Sequence, residues 1–303
     1  GALAQRIWTE PPVEDAGITL SRVHVQTDLL RGIDGRGPAL DRLGATTGFA
    51  TMSGPLVGEG VVRSAASVYV HEQTLEMWKH LLAVAALIQV ADAHVSAATL
   101  AELVGAETAV SEHPSNGPRL VQDDMLNVIR DAFRPLGERP SMFVGEDFDR
   151  AEREMGRQLS VLTTAGPTGL SSEMPLGDST ALVQMMTDAV NPRLGNGLMT
   201  LVSLPMTFRP EERGRVALDL NRRELAEFTR APFLGSWCPH PTMGTTLTYV
   251  TFLPNACALP GLPSTLLSYA RARVEWAARA LGPSLDAPVE RPKSAVERLS
   301  WQR

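Results

Sequence analysis

The chain has few of the residues from which disulfide frameworks and membrane spans are built. Its 303 residues include two cysteines, Cys238 and Cys257, and two cysteines do not make a disulfide framework, so a reducing, cytoplasmic setting is expected. No uninterrupted apolar run reaches the roughly 18 residues that span a bilayer. The longest candidate, 81–90, is predicted to be a buried helix. No basic-plus-apolar secretory signal opens the chain.

Lysine is scarce as well, and acidic residues outnumber basic ones by 34 to 28. The formal net charge is −6 at pH 7, which argues against a nucleic-acid-binding surface. Lysine occurs only at Lys79 and Lys293, while arginine is abundant. This bias is what a GC-rich genome produces, so we interpret it as codon usage. The hydrophobic content of 44% and the charged content of 20% are typical of a globular protein, and the length favours two domains.

Signatures of catalysis and ligand binding are missing. Cys238, His240 and Cys257 supply three candidate metal ligands, whereas a structural zinc needs four. A thiolate–imidazole pair would require His240 to reach back over the intervening proline and a third group to orient it. The glycine clusters 32–38 and 195–197 lack the lysine and the strand-to-helix context of a phosphate-binding loop. The sequence therefore predicts no enzyme active site, no metal and no cofactor.

The strongest secondary-structure pattern lies within 233–282. Residues 245–252 are rich in threonine, tyrosine, valine and phenylalanine with apolar groups on both faces, which predicts a central strand. A long helix follows, with Pro263 in its first turn and Gly282 at its end. Its apolar face is formed at spacings of three and four by Leu266, Tyr269, Ala270, Val274, Ala277 and Leu281. Its arginines, Arg271, Arg273 and Arg279, are expected mostly to avoid that face.

Other patterns predict further strands and helices along the rest of the chain. Strands are predicted at 18–30, 49–58, 61–71, 159–164, 168–175, 181–190 and 197–208. Helices are predicted at 39–43, 72–94 with an extension over 97–104, 121–133, 146–158 and 210–228. The stretch 191–197 has the Asn-Gly chemistry of a hairpin turn. Residues 1–16 show little pattern.

The two halves of the chain repeat one order of elements: strand, turn or helix, strand, strand, long helix. SVYVH (67–71) matches LTYVT (247–251), GPLVG (54–58) matches APFLG (231–235), and PALDRL (38–43) matches VALDLN (216–221). The offsets stay close to 177–180. We therefore predict an α+β fold with two tandem copies of an antiparallel sheet with packed helices, related by a pseudo-twofold duplication.

The second half of the chain resembles a known family. Residues 194–225, followed by APFLGSWC (231–238) and LTYVTFLPNA (247–256), are similar to the YbjN and type III secretion chaperone-like proteins of actinobacteria. The resemblance covers about 158–282 and, more faintly, 18–95. It implies a chaperone or adaptor fold that is commonly dimeric or duplicated and binds protein segments, and it carries no catalytic residues.

This interpretation predicts four parts of the chain. They are an N-terminal chaperone-like domain at 1–105, a linker with helices at 106–157, a C-terminal chaperone-like domain at 158–283, and a tail at 284–303. Phe233, Trp237 and Trp276 are the aromatic candidates for partner binding, if they prove to be exposed; packing in or over the core is the alternative.

Three functions remain open at this stage. The first is a non-enzymatic, cytoplasmic protein that binds a protein client or secretion-related partner. The second is a small-molecule sensor or enzyme with a polar site between the two halves. The third is a structural subunit of a larger assembly.

Overall fold

The computed structural model describes residues 5–33, 37–46, 51–109, 124–159, 161–206, 209–227 and 229–282. Residues 110–123 of the predicted linker at 106–157 and the whole predicted tail at 284–303 lie outside these ranges. Within them the chain forms two antiparallel sheets and six helices, so the predicted α+β class is confirmed.

The first sheet is built from the N-terminal part of the chain. Its strands are β1 (Gln5–Thr9), β2 (Val13–Asp15), β3 (Ile18–Arg31), β4 (Gly54–Gly58), β5 (Val61–Val70) and β6 (Glu107–Thr108). The strand order is β1-β3-β5-β4, and β2 and β6 also pair with β3. Two helices belong to this part, α1 (Pro38–Thr46) and α2 (Leu75–Val104).

The second sheet is larger. Its strands are β7 (Leu162–Gly166), β8 (Gly169–Leu176), β9 (Ser179–Met186), β10 (Val190–Asn191), β11 (Gly195–Pro205), β12 (Ser236–Pro239) and β13 (Thr246–Pro254). They follow the order β12-β13-β11-β9-β8-β7, with β10 paired to β11. The remaining helices are α3 (Asp124–Gly137), α4 (Gly145–Leu159), α5 (Arg213–Ala226) and α6 (Leu262–Leu281). As predicted for a central strand, every residue of β13 is buried.

The predicted hairpin turn lies between β10 and β11. The Asn191 side-chain oxygen accepts hydrogen bonds from the backbone N–H groups of Arg193 and Leu194, and Gly195 has a φ of +76°. The turn therefore depends on an Asx motif and on Gly195. The dipeptide Asn196-Gly197, on which the sequence prediction rested, already belongs to β11.

The two sheets share an order of elements. In the first, β3, α1, β4, β5 and α2 follow one another and the strands pair as β3-β5-β4; in the second, β11, α5, β12, β13 and α6 do the same with β11-β13-β12. Tyr69 and Tyr249, which the sequence comparison aligns, lie on the corresponding strands β5 and β13. GPLVG forms β4, whereas APFLG ends one residue before β12.

The two sheets are joined through backbone contacts as well as side chains. The N–H of Ser67 in β5 donates to the carbonyl of Phe233 at 2.9 Å, and the N–H of Phe233 donates back at 2.7 Å. The N–H of Phe252 in β13 donates to the carbonyl of Thr51 at 3.3 Å. One hydrophobic cluster contains residues of both sheets, including Val68 of β5 and Trp237 of β12. The halves consequently share one core.

Helix α2 is, among the described residues, the one helix long and apolar enough to cross a bilayer by length and composition alone. Its fully buried side chains include Trp78, Leu81, Ala85 and Ile88, and the helix contacts β3 and β5. The predicted extension at 97–104 is part of the same continuous helix, which ends at Gly105 with a φ of +69°.

Candidate functional site

A charged cluster lies buried where α5, α6 and β12 meet. The Glu224 carboxylate accepts hydrogen bonds from Arg273 Nε at 2.8 Å and from Trp237 Nε1 at 2.7 Å. Arg273 also donates to the carbonyl of Pro232 at 2.5 Å and lies over the ring of Tyr249, with its guanidinium carbon 3.6 Å from the ring centre. Such a cation–π contact is strongest where water is excluded.

A second arginine extends this cluster into the first sheet. Arg22 of β3 donates to the hydroxyl of Ser67 at 2.9 Å and to the backbone carbonyl of Glu224 at 3.1 Å. Its guanidinium carbon lies 5.0 Å from the ring centre of Tyr69. Arg22 therefore joins the first sheet to the C-terminal end of α5.

The electrostatics of the cluster are set by burial. Burial raises the pKa of Glu224, and the Arg273 guanidinium and the Trp237 indole N–H oppose that rise. Burial alone would lower the pKa of Arg273, but Glu224 and Tyr249 reverse the effect and raise it. Both carboxylate oxygens of Glu224 accept from strong donors, which suits the ionised form. The charges of Glu224 and Arg273 match each other, and Arg22 links this pair to the first sheet through the backbone carbonyl of Glu224.

Two of the sequence predictions are corrected here. Arg273 was expected to avoid the buried face of its helix, yet it is 5% exposed, because Glu224 supplies the opposite charge that makes burial tolerable. Phe233, Trp237 and Trp276 were candidates for partner binding, but all are buried, at 0%, 0% and 3% exposure.

Each of these aromatic side chains has a structural contact in the core. Phe233 meets the edge of the Tyr249 ring, as Trp237 does, and Trp276 Nε1 donates to the Glu227 carboxylate at 2.7 Å. Their positions agree with the alternative prediction, which was that these side chains pack in or over the core. They offer no surface for a partner in this conformation.

The two cysteines that were weighed with His240 as candidate metal ligands lie in separate clusters. Cys238 Sγ contacts the carbonyl of Thr248, while Cys257 Sγ lies 3.6 Å from Met52 Sδ in a different cluster. Both thiols are buried and unpaired by disulfide, and burial raises the pKa of Cys238 to about 12. The described residues contain no group of three or more His, Cys, Asp or Glu that could hold a metal ion.

His240 instead closes the turn after β12. Its Nδ1 accepts hydrogen bonds from the backbone N–H groups of Met243 at 3.0 Å and Thr242 at 3.3 Å, so this nitrogen must be unprotonated. Burial lowers the pKa of His240 to about 4. The buried histidine side chain therefore acts as a neutral acceptor for a turn whose following residues, 241–245, are mostly exposed.

This arrangement predicts a pH dependence of stability. Since the folded pKa lies below the unfolded value of about 6.5, His240 contributes stability that is complete above pH 6.5 and is lost as the pH falls towards 4. The loss amounts to at most about 3 kcal/mol. His240→Asn keeps a turn-forming acceptor that does not titrate. Urea unfolding at pH 7, 6, 5 and 4 should show a smaller decline for this variant than for the wild type, and equal declines would refute the assignment.

A cleft of about 270 Å³ lies between the two halves, where the sequence placed the alternative small-molecule site. Its charged lining includes Glu59, Arg215, Asp219 and Arg222. Arg215 pairs with Glu212 at 3.0 Å and Arg222 pairs with Asp219 at 2.6 Å. These neighbouring pairs neutralise the guanidinium groups, so the cleft does not offer a concentrated charge to a ligand.

An apolar groove of about 300 Å³ lies on the α2 side of the first sheet. Its floor consists of four valines of β3 and β5, namely Val23, Val25, Val68 and Val70, and its wall is the N-terminal half of α2. Ile7 of β1 and Leu75 of α2 form the rim, with 63% and 45% of their surfaces exposed. Lys79 is the charged residue of the lining. Apolar concave surface of this kind is typical of an interaction site.

The sequence did not predict this groove, because the strand β1 that forms part of its rim carries no strand pattern. Residues 1–16 carry little pattern, and β1 becomes a strand through its pairing with β3, in which Ile7 lies opposite Val25. The alternation of Val23 and Val25 within β3 was the available signal for one apolar sheet face. It could not show that this face is only partly covered by α2.

The chain matches no protein-family model, and comparison with curated proteins and with solved structures finds no match.

Proposed function

We propose that the chain is a non-enzymatic, cytoplasmic protein of the chaperone or adaptor type, which binds a protein client through the groove beside α2. The groove is the observation that carries this proposal. Its exposed rim residues, Ile7 and Leu75, flank a valine floor in which Val23 and Val70 remain partly exposed. Burial of such surface is the main favourable term in protein association.

The second sheet suggests which kind of segment the groove accepts. There the amphipathic helix α4 lies against α6, β7 and β8 and buries Phe148, Ala151 and Met155, at spacings of three and four. A groove with an apolar floor and a helical wall suits the apolar face of one more helix. We therefore propose that the client presents an amphipathic helix.

The shared order of elements supports the further proposal that the chain arose by duplication of one sheet-and-helix unit. Both units place a helix between their first two strands and a long helix after the third, and both pair these strands in the same order. Superposition of 18–95 on 197–280 tests the duplication. Corresponding strands that fall on each other support it, and unrelated traces contradict it.

The client-binding proposal is tested with two leucine variants of one helix. Leu75 lies in the groove and Leu87 outside it, and they are 45% and 44% exposed. Leu75→Asp places a carboxylate in the apolar groove, which costs a bound client several kcal/mol. After pull-down from the native host and mass spectrometry, we expect the captured client to fall at least about tenfold with Leu75→Asp and to remain with Leu87→Asp.

Two results would contradict the proposal. The first is equal capture by both variants, which would place the client elsewhere on the molecule. The second is a purified chain that retains no protein while it turns over a metabolite.

A further inference from the structure

The outer edge of β1 has backbone groups that point away from the sheet. Thr9 lies opposite Val23 in the ladder with β3, and the N–H of Glu10 donates to the carbonyl of Arg22 at 2.9 Å. Because hydrogen bonding alternates along an antiparallel strand, Arg6, Trp8 and Glu10 direct their backbone groups towards β3. Gln5, Ile7 and Thr9 direct theirs outward. Within the described residues no strand pairs with this edge.

The side chains of β1 do not discourage pairing with another chain. Edge strands are usually protected by proline, lysine, a bulge or a covering element. The ladder of β1 with β3 is regular, and the strand QRIWT contains neither proline nor lysine, with Arg6 as its one charged side chain. Ile7 is 63% exposed and Trp8 is 39% exposed. These are properties of a strand that adds to another sheet.

We propose that β1 pairs with β1 of a second copy of this chain, antiparallel and centred on Ile7, so that the first sheets of two copies form one continuous sheet. Ile7 is the middle residue of the five-residue strand, so this register pairs every residue of β1. It also places the outward backbone groups of Ile7 opposite those of the second copy's Ile7, as a hydrogen-bonded pair requires.

The charges of β1 suit this register. Arg6 lies opposite Trp8 of the second copy, which allows a cation–π contact, and Gln5 lies opposite Thr9. Trp8 is held for such a contact because it stacks on His24, with ring centres 4.7 Å apart and planes at 10°. A register centred on Arg6 would oppose two like charges, which is unfavourable in cross-strand pairs, and it would leave Trp8 and Thr9 without partners in the second copy's β1.

The dimer would place the two grooves on the same face. A twofold axis perpendicular to the sheet at Ile7 keeps both α2 helices on one side. Helix α2 contacts β3 and β5, so the two copies of α2 would lie about four strand spacings, or roughly 19 Å, apart. One client helix fits between them at an interaxial distance of about 9–10 Å from each. This last consequence rests on the proposed function, whereas the dimer does not.

The oligomeric state is tested by light scattering coupled to size-exclusion chromatography over a concentration series. The full chain is expected to show twice the mass of the 32.7-kDa chain. Ile7→Lys opposes two ammonium groups at the twofold axis and is expected to weaken the dimer at least about tenfold. Ile18→Lys, at a residue that is 48% exposed and lies outside β1, is the matched control and should leave the dimer intact. A monomeric wild type, or a dimer that survives Ile7→Lys, would overturn the proposal.

The register is tested by oxidative cross-linking. In Ile7→Cys the two Cα atoms would be about 5.5 Å apart, within reach of a disulfide. In Thr9→Cys they would be about 14 Å apart along the paired strands, although the residue lies in the same strand. We expect a covalent dimer of the first variant only, since the native Cys238 and Cys257 are buried. Cross-linking of Thr9→Cys but not of Ile7→Cys would overturn the register.

These measurements are independent of client capture. A dimer that captures no client refutes the proposed function alone, and a monomer that loses its client with Leu75→Asp refutes the dimer alone.

Discussion

Replacing Glu224 by alanine is expected to lower the free energy of unfolding by about 3–5 kcal/mol. The change leaves the Arg273 guanidinium buried without its opposite charge, and removing one partner of a buried ion pair has a cost of this size. It also removes the acceptor of the Trp237 indole N–H. Equilibrium urea unfolding at pH 7 measures the effect.

Helix α6, which carries Arg273, offers a matched control for this prediction. Arg271 and Glu275 form an ion pair with a distance of 2.6 Å between Nε and Oε1, and their side chains are 37% and 52% exposed. Arg271→Ala should therefore cost no more than about 1 kcal/mol. The double change Glu224→Leu with Arg273→Met removes both charges and should recover much of the loss. A loss with Glu224→Ala no larger than that of the control would show that the buried pair contributes little to stability.

Replacing Gly214 by alanine is expected to cost about 3 kcal/mol, because α1 and α5 cross there with their backbones in contact. A Cβ atom at Gly214 would clash with the backbone carbonyl of Asp41, and one at Gly44 would clash with the carbonyl of Gly214. Backbone atoms of a neighbouring helix cannot rotate away as a flexible side chain does, so the helices must separate. Urea unfolding again measures the loss.

Gly156 is the control for the crossing glycine. It lies in α4, and a Cβ atom added there would meet nothing within 4 Å. Gly156→Ala should raise stability by about 0.5–1 kcal/mol through helix propensity. A neutral or stabilising effect of Gly214→Ala would contradict the close backbone contact between α1 and α5.

Local patterns along the chain predicted most of the elements. The alternation in 245–252 and the apolar face of the last helix correspond to β13 and α6, and Pro263 lies in the first turn of α6 as expected. The prediction for α2 also held, although it was divided into two segments. These elements carry their own periodicity, and periodicity is a property of consecutive residues.

The candidate site could not be predicted in the same way. Arg22, Glu224 and Arg273 are separated by 202 and 49 residues, and no spacing marks three charges that meet across β3, α5 and α6. Phe233, Trp237 and Trp276 were candidates for partner binding for the same reason. The sequence shows that an aromatic ring is large, but it does not show which distant residues will surround that ring.

The sequence by itself determined where most helices and strands form, because backbone preference and apolar spacing act within a few turns of chain. Only the tertiary structure decided which charges are buried, and which apolar face stays open beside α2. Burial depends on partners brought together from distant segments, as Glu224 makes the burial of Arg273 possible. The position of β1 at an edge is likewise a property of the assembled sheet. A strand becomes an edge strand when it pairs on one side only, and the strand's own sequence does not show this.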